Sequence, residues 1–93
     1  MLSNKDPSEK ITVTFDFSAL TTSVTLPIFT IQSDSGPVDP SPASILWGSP
    51  QIIGATVLQK IIGGLGHTYY GIRCQVTAAD GSIYVQDDVL PVL

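Results

Sequence analysis

Charge is scarce in this chain. Only 13% of its 93 residues are Asp, Glu, Lys or Arg, about half of the ~25% usual in soluble domains. Its four cations, Lys5, Lys10, Lys60 and Arg73, are scattered along the sequence. They give no basic footprint for a phosphate backbone, so nucleic acid is not an expected partner. A single cysteine, Cys74, excludes an internal disulfide and a cysteine-only zinc site. No apolar run approaches 18 residues, and Met1–Pro7 lacks an apolar stretch of signal-peptide length. The expectation is a protein made in the cytoplasm, with no membrane partner and no export signal of its own. Repeats at a fixed period are absent, which sets solenoids and propellers aside.

What is present is apolar content of 43%, ordinary for a globular domain and against disorder. At this length the chain forms one domain and buries ~60–65% of its unfolded surface, enough for a thin two-layer core. With a net charge of −4, the surface is left mainly to Ser, Thr, Gln, Gly and Pro. Such a surface loses little hydration when it docks, which suits an interaction module.

Residues 1–9 read as a flexible N-terminal segment and 10–93 as a single β-sandwich domain. Ile11, Val13, Phe15 and Phe17 alternate with polar residues, the period of a half-buried strand. Val24, Leu26 and Ile28 alternate again, with Pro27 placing that strand at an edge or in a bulge. Ser33–Ser44, with three prolines, reads as a loop. Ile45-Leu46-Trp47 reads as a short strand closed by Gly48-Ser49-Pro50. Ala55–Ile62 also fits a helical stripe through Ala55, Leu58, Ile62 and Leu65. Eight residues between glycines make too short a helix, so it is read as a strand. Tyr70, Ile72, Cys74 and Val76 give the clearest alternation, followed by a turn at Ala78-Ala79-Asp80-Gly81 with Gly81 at positive φ. Ser82–Gln86 returns antiparallel, and Leu90–Leu93 ends the chain. Six to seven short strands without crossover helices predict an all-β antiparallel sandwich. Phe15, Phe17, Val24, Leu26, Trp47, Val57, Tyr70, Ile72, Cys74 and Val76 are its expected core.

Three stretches carry a resemblance: Phe15–Val24, Ser49–Val57, and Gly63–Thr77 with Asp80-Gly81 and Leu90-Pro91-Val92. In this order and spacing they resemble the small structural proteins of tailed bacteriophages labelled fibre–tail adaptor or head–tail proteins. The resemblance runs from Asp6 to Val92. It implies an immunoglobulin-like or fibronectin-like sandwich and a place in the virion, and it implies no catalytic residue and no cofactor. The run Gly66-x-x-Tyr69-Tyr70-x-Ile72-x-Cys74 also resembles the penultimate strand of such sandwiches. An immunoglobulin domain proper has a second cysteine and a Tyr two residues before the first; here Ile72 holds that place.

No reactive constellation stands out, so no catalytic, cofactor or metal residues are expected. His67 reads as an exposed turn residue, since no nucleophile-elbow sequence accompanies it. Cys74 reads as a small core hydrophobe. Asp34, Asp39, Asp87 and Asp88 offer calcium-type oxygens without EF-hand spacing and read as solvated loop acids. Trp47 reads as core, with an exposed contact aromatic as the alternative. Gly63, Gly64 and Gly66 read as turn geometry, because no helix or P-loop Lys follows.

Two functions follow as expectations. The first is a virion adaptor, not an enzyme, that joins other virion proteins or its own copies by strand-edge or face contacts. The second is a carbohydrate- or receptor-binding module at a fibre tip. An exposed aromatic platform with acids or amides favours the second; a flat apolar or edge patch favours the first.

Overall fold

The structure, a computed structural model, describes Leu2 and residues 4–93. Six strands follow one another: β1 Ile11–Asp16, β2 Val24–Ser35, β3 Leu46–Ile53, β4 Thr56–Ile61, β5 Thr68–Ala78 and β6 Ile83–Val92, with a 3₁₀ turn at Pro42–Ile45 before β3. They form two antiparallel sheets, ordered β1-β4-β3 and β2-β5-β6. The sheets pack as a sandwich, the fold class read from the sequence. Their order matches strands B-E-D against C-F-G of immunoglobulin-type sandwiches.

The alternation in β5 explains its central place. Tyr70, Ile72, Cys74 and Val76 are buried, while Tyr69 and Arg73 face solvent. Across the core lie Val13, Phe15, Val57 and Ile61 of the other sheet. The Phe15 and Phe29 rings meet edge to face, 5.8 Å between centroids, and join the sheets. Each such aliphatic or aromatic side chain contributes about 1.5–3 kcal/mol of burial.

Two expected core residues lie outside. Leu26 is 70% exposed, because β2 carries a bulge between Thr25 and Ile28 with Leu26 at φ 52. The inserted residue inverts the alternation, so Phe29 and Ile31 turn inward and Ile28 turns outward. Trp47 is 45% exposed. It pairs with Lys60 on the outer face of β4, while the neighbouring Ile45 fills the core. Gly48-Ser49-Pro50 does not close β3 as expected; the strand passes through it by a bulge of its own, between Trp47 and Gln51. The Ser33–Ser44 loop shortens likewise, since β2 runs to Ser35 and Pro42 opens the 3₁₀ turn. The turn before β6 lies where expected, with Gly81 at φ 88.

The N-terminal segment, expected to be loose, lies along β6. The Leu2 N–H donates to Val89 O, the Lys5 N–H to Pro91 O and the Leu93 N–H to Lys5 O, each at 2.8 Å. Lys5 is fully buried, and its Nζ donates to Gly63 O at 2.7 Å and Asp6 O at 2.9 Å. Burial lowers its pKa, with Glu9 and Asp6 opposing. Met1 and Ser3, which the same expectation covers, lie outside the described residues.

Candidate functional site

Strand pairing sets the outer face of the β1-β4-β3 sheet in rows. Thr12, Lys60 and Trp47 form one, and Thr14, Leu58 and Gln51 the next. The bulge between Trp47 and Gln51 opens a groove of about 540 Å³, lined by Thr12, Trp47, Gly48, Ser49, Gln51, Leu58 and Lys60. That is within the range of small-ligand pockets, and bulges recur where a strand must re-aim a side chain. Gly48 sits at φ +75, and a Cβ there would meet nothing within 4 Å. Its backbone conformation, not space, calls for glycine.

The bulge is held from inside the core. Gln59, 2% exposed on β4, donates its side-chain amide to the carbonyls of Trp47 at 3.4 Å, Gly48 at 3.2 Å and Lys60 at 3.0 Å. A buried amide left without partners would cost about 1–3 kcal/mol, so these contacts fix both the amide and the bulge. The sequence signal of this role is a polar residue at an inward position between Val57 and Ile61.

The indole is also the meeting point of charge. Lys10 Nζ lies 5.2 Å and Lys60 Nζ 5.3 Å from the Trp47 ring centroid. Both distances are within cation–π range.

A second, smaller hollow of about 380 Å³ lies on the outer face of the other sheet, over Gly71. It brings together Asp34, Asp87 and Asp88, three of the four calcium candidates, with Arg73 among them. Arg73 stands 3.9 Å from Asp87, and Asp34 accepts from Gln32 Nε2 at 2.8 Å. Among the described residues no group of three His, Cys, Asp or Glu side chains is placed to hold a metal ion. Asp39, the fourth, lies elsewhere. It accepts the Tyr70 hydroxyl proton at 2.7 Å, while that hydroxyl accepts from Leu65 N–H at 2.8 Å. Tyr70 thus ties the core to the loop before β5, as a tyrosine corner does.

The reactive candidates stand apart from both hollows. Cys74 is fully buried, and desolvation pushes its thiol up to about 11. His67 is exposed at φ 62 in the turn before β5. Gly63 serves that turn by offering its carbonyl to Lys5. No helix is long and apolar enough among the described residues to cross a membrane.

Comparison with protein-family models, curated proteins and solved structures found no match.

Proposed function

We propose that the chain is a structural adaptor of a tailed-phage virion, acting by protein–protein contact and without a catalytic step. The observation that carries the contact reading is an apolar patch on the outer face of the β2-β5-β6 sheet. Register aligns Thr25, Thr77 and Ile83 in one row and Ile28, Gln75 and Val85 in the next. Ile28 is 55% exposed, Ile83 60% and Val85 36%, with Leu26 beside them in the bulge. The only charges in the third row, Arg73 and Asp87, face each other. A nearly uncharged apolar face meets its own copy or another uncharged face without electrostatic cost, and it costs solubility when left bare.

The edge beside this patch supports the same reading. β2 ends the sheet, and from Val24 to Ser33 it carries no charge. Its guards are Pro27 and the bulge. The opposite edge, β6, is partly covered by the N-terminal segment. β2 is therefore the edge we assign to pairing with another chain. Hydrogen exchange on the isolated protein and on assembled particles tests this. New protection in β2 is the expected result; unchanged protection along β2 overturns it.

A second reading, contact with a carbohydrate at a fibre tip, is favoured by one observation: Trp47 stands exposed in a groove beside the Gln51 amide.

A further inference from the structure

We infer that the Trp47 groove takes an acidic sugar, a saccharide bearing a carboxylate, rather than a neutral one. The inference rests on the carbohydrate-contacting reading and adds the charge of the ligand.

The charge is local and runs against the molecule as a whole. The chain carries −4, yet the groove lining contains no acid, and two of the four cations lie at its indole. Neither takes part in an ion pair among the described residues, where Arg73–Asp87 is the pair within 4 Å. Glu9, the acid next to Lys10 in sequence, accepts instead from the Asp6 N–H at 2.7 Å. The nearest acid on the same face, Asp16, stands two rows beyond Lys60 and accepts from the Ser18 N–H. Both ammonium groups are thus near the ring quadrupole and free of carboxylates. An arriving anion meets two cations without first breaking a salt bridge.

The rest of the lining suits a sugar. The exposed part of the indole and Leu58 give the groove an apolar lining for the C–H groups of a pyranose ring, beside the two ammonium groups. Thr12, Ser49 and Gln51 supply two hydroxyls and an amide, both donors and acceptors for sugar hydroxyls. Their side chains have no hydrogen-bond partner among the described residues. Gln59 keeps the bulge in shape before any ligand arrives, which lowers the ordering cost of binding.

Trp47 is the only tryptophan, so fluorescence excited at wavelengths beyond tyrosine absorption reports on the groove. The titrants are trigalacturonate against neutral galactotriose, and sialyllactose against lactose. At least one acidic sugar should shift the Trp47 emission with a Kd about tenfold below that of its neutral counterpart. The double substitution Lys10→Gln with Lys60→Gln should equalise the pair while leaving the fold, read by far-ultraviolet circular dichroism, in place. Equal binding of acidic and neutral sugars to the native chain overturns the acidic inference and keeps the carbohydrate reading. No response to any saccharide at millimolar concentration overturns both. An equal response to inorganic phosphate or to a Glu-rich hexapeptide overturns the sugar assignment.

Discussion

Gln59, buried on one strand, donates its side-chain amide to the main-chain carbonyl of Trp47 on the next, 3.4 Å away. A core residue thereby shapes the outer surface, because the carbonyls it holds belong to the bulge that presents the indole. Gln59→Leu should lower stability by about 1–3 kcal/mol, since the carbonyls lose their donor inside the protein. It should also speed hydrogen exchange at Gly48 and Ser49. Loss of stability with unchanged exchange there would mean that the bulge holds itself.

Tyr70 is the second such tie. Tyr70→Phe removes the acceptor of the Leu65 N–H and the donor to Asp39. A loss of about 1–3 kcal/mol in chemical denaturation is expected. Asp39→Asn, which can still accept the hydroxyl proton, should cost less. Equal losses would place the energy in the carboxylate charge and not in the tyrosine.

Two apolar substitutions separate core from surface. Ile72→Ala, at a site 1% exposed, should cost about 2–5 kcal/mol. Leu26→Ala, at 70% exposure, should change stability by less than about 0.5 kcal/mol. Comparable losses at the two positions would contradict the inversion of faces along β2.

How much of this was readable depends on the element. β5 alternates without interruption, so its inward face was plain from Tyr70 to Val76. β2 alternates too, but one inserted residue at the bulge shifts the faces, and Pro27 signalled a bulge without fixing which residues follow it outward. Trp47 misled for a related reason: large aromatics are usually buried, and the lysines that accompany its exposure come from distant positions 10 and 60. Lys5 gave no signal at all. A lysine in a polar stretch reads as solvated; the carbonyls of Gly63 and Asp6, with the charges of Glu9 and Asp6, make its burial tolerable.

Stability should respond to pH at both ends. Asp6, Asp16 and Asp80 have pKa values lowered from 3.8, mainly by hydrogen bonds from Ser8, Ser18 and Ser82. Depressed folded values give stability that is complete above 3.8 and fades as pH falls through the folded pKa values. At the alkaline end, the Cys74 thiol is raised from 9.0 to about 11. Its contribution is complete below 9.0 and is lost as pH rises through about 11. Melting temperatures across the range check both. The Asp→Asn variants should flatten the acid limb, and Cys74→Ala should flatten its part of the alkaline limb. A thiol reagent that labels the native protein as fast as the denatured one would contradict the burial of Cys74.

The central claim is that this sandwich works by contact through the outer face of β2, β5 and β6. Sedimentation equilibrium of the isolated protein, from micromolar to millimolar concentration, tests it most directly. The native chain should associate with rising concentration, and Ile28→Lys with Ile83→Lys should return it to a monomer at an unchanged melting temperature. A double variant that associates as well as the native chain would contradict the account, and a native chain that stays monomeric throughout would exclude its own copy as the partner of this face.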